Sequence, residues 1–224
     1  MTPPSVVTDE RFAQGLTFSQ WLIDIATPEN LAREASMNRP RQDWSAHLRT
    51  WYDDTKLSDA QVAALRWLAA QPGGPAKMLV IAEEWSSDCR RDVPVFARMA
   101  DAAPFDLRIF RRDGKRFSSS ARPTLAEAPD SNADLMAEFL NDKNGQTWQS
   151  IPVAVFYTKD LRYLYHYTEY PAIYHKDTIV PKIRTGGGDK AFADLQQSPF
   201  FRVWGQAAVD EIITALHERL VMAG

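Results

Sequence analysis

The stretch from residue 77 to residue 110 constrains the fold most, because it reads as a strand, a helix and a second strand in succession. Residues 77–83 form an apolar run typical of a buried strand, and residues 87–102 carry a helical pattern. Residues 105–110 read as the second strand. A unit of this kind places its strands parallel, with a right-handed crossover between them. The sequence therefore predicts an α/β fold.

Helices are predicted before this unit, from about residue 10 to residue 71. Two stripes of large apolar side chains recur there at helical spacing: Phe18, Trp21, Leu22 and Ile25 in the first, and Trp44, Leu48, Trp51 and Tyr52 in the second. Ser58 and Gln61 form a capping box that opens a further helix. The Pro/Gly cluster at 71–75 is the best boundary. We therefore predict a helical extension over residues 1–75 and a second domain over 76–224.

The second domain is expected to continue beyond the strand-helix-strand unit. Residues 112–130 read as a long polar insertion, and a helix is predicted over 134–140. A strand over 151–157 and a partner over 161–168 form a hairpin. Ser198 and Pro199 then open a C-terminal amphipathic helix.

Cys89 is the only cysteine of the chain and lies directly after the first predicted strand. Residues 85–89 read Trp-Ser-Ser-Asp-Cys. In a C-x-x-C motif between a strand and a helix, the first thiol is the nucleophile, because the helix N-terminus stabilises its thiolate. Ser86 occupies that position here, and its hydroxyl does not ionise near neutral pH. No internal dithiol/disulfide couple can form.

The surrounding residues resemble a known signature. Residues 83–94 read Glu-Glu-Trp-Ser-Ser-Asp-Cys-Arg-Arg-Asp-Val-Pro. This is similar to the E-x-W-C-G-D-C-x-R-N-x-P signature of bacterial thioredoxin-family proteins, and the resemblance spans about residues 77–170. It implies a thioredoxin-like fold, here with the N-terminal helical extension and the C-terminal amphipathic helix. It also implies a kinking proline at Pro94 and a cis peptide bond between Ile151 and Pro152.

The chain departs from that family at several positions, so its motif is degenerate. Ser86 replaces the nucleophilic cysteine, Ser87 replaces the glycine, and Asp92 replaces the asparagine. The buried acid that thioredoxin places on the preceding strand is missing, because that strand reads Leu79-Val80-Ile81.

The resemblance implies a set of candidate site residues. Cys89 and Ser86 are the candidate catalytic residues, and the candidate substrate-binding residues are Trp85, Asp88, Ile151 and Pro152. Cys89 has two interpretations: an inert, buried, small apolar residue, or a thiol that forms a mixed disulfide. We predict a thioredoxin-family protein of thiol redox homeostasis or client binding, with at most a monothiol activity. Its expected partner is a protein or peptide thiol client, and glutathione is a further candidate.

Two alternatives use the same architecture differently. Some glutathione transferases place a serine at this helix N-terminus, where its hydroxyl bonds the thiolate of glutathione, and Ser86 has that chemistry. Those transferases usually carry their helical domain after the fold, whereas the helices here precede it. The other alternative is a non-catalytic module that binds extended peptide beside Pro152.

Composition argues against several other classes of protein. A net charge of -3 argues against general nucleic-acid binding, which needs a basic surface. No apolar run approaches the roughly 20 residues that span a bilayer, and the N-terminus does not read as a signal peptide. A single cysteine fits a reducing cytoplasm. No spacing of histidine, cysteine and carboxylate residues resembles a zinc site, so we expect neither a metal nor a cofactor. The oligomeric state stays open.

Overall fold

The computed structural model describes residues 5–36, 39–143, 145–174 and 194–222. The N-terminal part is helical, with α1 (Asp9–Ala13), α2 (Phe18–Ile25), α3 (Pro28–Leu31), α4 (Ser45–Asp54) and α5 (Asp59–Ala70). The elements after it are β1 (Lys77–Ala82), α6 (Ser87–Ala102), β2 (Asp106–Arg111), α7 (Ala133–Ala137), β3 (Asn141–Lys143), β4 (Gln146–Trp148), β5 (Val153–Tyr157), β6 (Tyr163–Thr168), a short 3-10 helix (Ala172–Tyr174) and α8 (Pro199–Met222).

Local signals in the sequence set several of these boundaries. Ser58 forms the predicted capping box with Gln61 at the start of α5, which confirms that prediction. Thr17 and Gln20 form a second capping box at the start of α2. Each box satisfies backbone N–H groups that the first turn of a helix leaves without partners.

Four strands form the main sheet, in the order β2-β1-β5-β6. Strands β1 and β2 are parallel and α6 connects them, so the predicted strand-helix-strand unit is confirmed. Strand β5 runs antiparallel to β1, with Ile81 beside Val153, and β6 runs antiparallel to β5. The predicted hairpin of 151–157 with 161–168 is therefore present as β5 and β6.

The core of the molecule lies on both faces of this sheet. Every residue of β5 is buried, and so is β1 from Met78 to Ala82, as expected for strands covered on two sides. Trp21 of α2 and Leu48 of α4 belong to the same hydrophobic cluster as Leu79 of β1. The N-terminal helices therefore share one core with the sheet.

The N-terminal segment also covers one edge of the sheet. The backbone N–H of Leu16 donates to the carbonyl of Ile109 at 2.9 Å, and the N–H of Ile109 donates back at 2.7 Å. This antiparallel bridge satisfies part of the exposed edge of β2.

Two parts of the chain differ from the sequence prediction. Helix α7 is shorter than the predicted helix over 134–140, and a hairpin of β3 and β4 follows it that was not predicted. Gly145 adopts a positive φ of 74° in the turn of that hairpin, a conformation that glycine accepts without strain. Residues 112–130 contain no helix or strand. Across the four described ranges, no helix combines the length and the apolar character needed to cross a membrane.

Candidate functional site

Ser86 begins the helix that carries the motif. It is the N-cap residue of α6, with extended backbone angles, and its Oγ accepts a hydrogen bond from the backbone N–H of Cys89 at 3.5 Å. An N-cap oxygen of this kind satisfies one free N–H group of the first turn. The residue is only 9% exposed. The hydroxyl of Ser86 therefore stabilises the start of α6.

Cys89 lies in the first turn of α6 and is 0% exposed. Burial raises the pKa of its thiol well above the ordinary value, although the hydrogen bond from Ser86 and a backbone hydrogen bond at Glu83 oppose the shift. Since the thiolate is the reactive form of cysteine, this environment disfavours attack on a disulfide.

The Ile151–Pro152 peptide bond is cis. Continuing the register of β1 and β5 by one residue places Pro152 beside Ala82, where β1 leads into the motif. Ile151 and Pro152 are both buried, and the carbonyl of Pro152 accepts a hydrogen bond from the N–H of Glu169 at 2.8 Å. The carbonyl of Pro152 is therefore already bonded within the β5–β6 hairpin.

Arg91 holds the motif helix against the end of β6. Its guanidinium is fully buried and donates to both carboxylate oxygens of Asp92, at 2.6 and 2.5 Å. It also donates to Asp88 at 3.2 Å and to the backbone carbonyl of Glu169 at 2.7 Å. Burial raises the pKa of the Asp92 carboxyl, although Arg91 and the hydroxyl of Tyr167 oppose the shift. Asp88 and Asp92 are thus committed to a buried ion-pair network.

A second buried network lies on the other side of the motif. Arg33 contacts the carboxylate of Glu83 at 2.7 Å, and Arg41 contacts Glu83 at 2.8 Å and Glu84 at 2.6 Å. Burial alone would raise the pKa of Glu83, but the two guanidinium groups hold it below the ordinary value. Strand β1 carries no acid, as the sequence indicates, yet these two buried acids come directly after it. The sequence shows Glu83 and Glu84 as part of the motif but does not predict that they are buried.

Trp85 lies between these networks, under the start of the insertion. Phe117 packs edge-on against its ring at 5.7 Å, and the Arg112 guanidinium lies 5.3 Å from its centre. Its Nε1 is buried and finds no hydrogen-bond acceptor among the described residues. Residues of the predicted insertion therefore cover one side of the motif.

Comparisons with known proteins support the fold described above. A family model described as thioredoxin matches residues 31–127, somewhat less than half of the chain. A protein of unknown function from Pseudomonas aeruginosa has a similar structure, with a TM-score of 0.53 and 15% identity over 95% of this chain and 98% of that chain. The fold is thioredoxin-like. An HIV epitope-scaffold is similar to the same degree, with a TM-score of 0.53 and 15% identity over 96% and 99% of the two chains. A search of curated proteins finds no match.

The thioredoxin-like fold brings the predicted site residues to one end of the sheet. The four motif residues lie at the start of α6, and Ile151 and Pro152 lie at the adjoining end of β5. The matched range also begins at residue 31, far upstream of residue 77, where the sequence resemblance starts. Arg33 and Arg41, which the sequence analysis missed, lie inside that range. The sequence shows only that both residues are positively charged, and a charge alone does not identify the carboxylate that it contacts.

Proposed function

We propose that this protein is a thioredoxin-like client-binding protein that performs no dithiol chemistry. The observation that carries the proposal is the pair Ser86 and Cys89. A hydroxyl stands at the attacking position and caps α6, while the sulfur at the resolving position is completely buried. Neither group supplies an accessible thiolate, so binding without turnover is the use that this geometry favours.

The client surface that we propose includes Trp85 and the Ile151–Pro152 edge. The indole Nε1 of Trp85 is a buried donor without an acceptor among the described residues, and such a donor costs roughly 1–3 kcal/mol. A backbone carbonyl of an extended client could accept that hydrogen bond. Because Ile151, Pro152 and the Trp85 Nε1 are buried, we expect binding to be slow and coupled to local opening. The single cysteine also fits the reducing cytoplasm that we propose as its location.

Insulin reduction tests the absence of dithiol chemistry. We expect no turnover from the wild type or from Cys89→Ala, and measurable turnover from Ser86→Cys, because that substitution restores the attacking sulfur beside Cys89. Appreciable reduction of insulin by the wild type would contradict the proposal.

Mass spectrometry after incubation with oxidised glutathione tests monothiol chemistry. We expect no glutathione adduct on Cys89 in the native protein and an adduct once the protein is unfolded in urea. A native adduct would favour the monothiol interpretation instead. Conjugation of glutathione to an electrophile that is lost in Ser86→Ala and kept in Cys89→Ala would favour a transferase.

Binding itself can be tested with an array of extended peptides, each cysteine-containing peptide being paired with its serine version. We expect the same peptides to bind in both versions, and to bind Cys89→Ala as well as the wild type. Binding that requires a cysteine in the peptide would show that recognition depends on thiol chemistry.

A further inference from the structure

A cavity of about 290 Å³ lies on the other side of the motif helix from Trp85. It is formed by α4, the first turn of α6 and residues 196–201, and its walls include Trp44, His47, Trp51, Ser87, Arg90 and Phe201. Its volume lies at the lower end of the range of roughly 300–1,000 Å³ that small-molecule sites occupy. Neither Ser86 nor Cys89 lines it, so a ligand bound in this cavity would be separate from the client of the proposed function.

Arg90 brings a positive charge to this cavity with no carboxylate partner among the described residues. Its NH1 donates to the backbone carbonyls of Glu84 at 2.9 Å and Trp85 at 2.8 Å, and these are neutral groups. Burial lowers the pKa of Arg90, although the charges of Asp88 and Glu84 oppose the shift. An incompletely compensated cation of this kind is costly, and an anion in the cavity would stabilise it.

The nearby carboxylates are already bound to other arginines. Asp88 contacts Arg91, and Glu84 contacts Arg41 at 2.6 Å. Arg91 lines the same cavity, but it is neutralised by Asp92 as well as by Asp88. Arg90 is therefore the charge of this cavity wall that an incoming anion would meet.

Aromatic rings form most of the remaining wall. The Arg90 guanidinium lies 3.9 Å from the centre of the Trp44 ring. His47 contacts both Trp44 and Trp51, at 5.4 and 5.7 Å between ring centres, and Trp51 contacts Phe201 at 6.4 Å. The Trp44 and His47 rings meet at 77°, and the Trp51 and Phe201 rings meet at 72°, so together they form an angular apolar wall beside the cation. Another aromatic ring can pack against such a wall edge-on or offset.

Two arginines lie close to His47, and one of them, Arg202, is paired with Asp54 at 3.1 Å. The pKa of His47 is lowered by burial first and by the charges of Arg90 and Arg202 in addition. The Arg202 guanidinium lies 4.3 Å from the centre of the Trp51 ring. A neutral imidazole between two arginines fits a cavity that favours anions.

We propose that this cavity binds a small aromatic carboxylate, whose ring packs against the apolar wall of Trp44 and Trp51 and whose carboxylate pairs with Arg90. The apolar wall supplies the area that is removed from water, and the guanidinium supplies a charge-assisted hydrogen bond. Both parts of the ligand are needed, because each matches a different part of the wall.

Isothermal titration calorimetry with 1-naphthoate and its neutral analogue 1-naphthamide tests this proposal. The two compounds share one ring system and differ in charge. We expect naphthoate to bind the wild type at least about tenfold more tightly than naphthamide, since hydrogen bonds to charged groups are the stronger ones. Arg90→Gln should remove most of that difference. The control Arg122→Gln, at an exposed arginine of the insertion, should leave both affinities unchanged.

A second measurement needs only the wild-type protein, so that a folding defect in Arg90→Gln does not weaken the test. In a two-dimensional NMR spectrum, the indole N–H signals of Trp44 and Trp51 should shift as naphthoate is added. The signal of Trp67, which is 51% exposed on α5, should not. Equal affinity for the two compounds, no binding of naphthoate, or shifts at Trp67 in place of Trp44 and Trp51 would each overturn the proposal.

Discussion

Replacing Arg91 with leucine would remove the main counter-charge of a carboxylate that has no access to water. The side chains of Arg91 and Asp92 are both 0% exposed, and two hydrogen bonds of 2.5–2.6 Å join them. Leucine would also leave the backbone carbonyl of Glu169 without the donor that Arg91 now supplies at 2.7 Å. The change therefore breaks a buried pair on one side only, which is the costly way to break it.

The expected loss follows from that geometry. Breaking a buried ion pair by removing one partner costs about 3–5 kcal/mol. For a chain of 150–250 residues each kcal/mol lowers Tm by roughly 2–4 °C, so the melting temperature of Arg91→Leu should fall by roughly 6–20 °C. Thermal and urea denaturation at pH 7, followed by circular dichroism, measure both quantities.

Arg202→Leu is the matched control. Arg202 contacts Asp54 at 3.1 Å, but the two side chains are about half exposed, at 49% and 50%. Such a pair contributes about 0–1 kcal/mol. The double variant Arg91→Leu/Asp92→Leu should recover part of the loss, because the completely buried carboxylate of Asp92 is then no longer left without Arg91. If Arg91→Leu costs no more than Arg202→Leu, the buried network does not stabilise the motif helix as we infer.

Three further predictions concern the thiol of Cys89, the imidazole of His166 and the close packing of Gly15 against the ring of Phe110. Cys89 should resist Ellman's reagent in the native protein and react fully in urea, and rapid native labelling would show that its turn opens readily. Burial lowers the pKa of His166, and the hydroxyl of Tyr163 lies 2.8 Å from its Nδ1. Because the unfolded chain then binds more protons, the free energy of unfolding should fall as the pH drops below about 6.5, and His166→Gln should flatten that dependence in urea titrations between pH 7.5 and 5.5. Gly15→Ala should lower the free energy of unfolding by about 1–3 kcal/mol, because a Cβ there would lie 2.6 Å from the ring of Phe110; an unchanged urea midpoint would contradict this close packing.

The elements that the sequence predicted well are those whose signals are local. The apolar run of β1, the capping box at Ser58 and the proline at the start of α8 each depend on a few neighbouring residues. The β3–β4 hairpin was missed because two strands of three residues are too short to show an alternating pattern.

The candidate site was predicted only in part, for a related reason. The motif residues are consecutive, so they can be recognised from the sequence. The burial of Glu83 depends on Arg33 and Arg41, which lie 50 and 42 residues earlier in the chain. A contact of that kind follows from the tertiary fold alone, so neither residue pattern nor composition indicates it.

Arg33 and Arg41 also determine which fragments of the protein can be expected to fold. Both lie upstream of the Pro/Gly cluster at 71–75, whereas the acids that they neutralise lie downstream of it. A recombinant fragment starting at residue 76 would therefore lose the guanidinium partners of Glu83 and Glu84, and it would also lose the strand partner that Leu16 provides. We therefore expect the remainder of the protein to need the first third in order to fold, so that a fragment carrying the motif helix alone would not be stable.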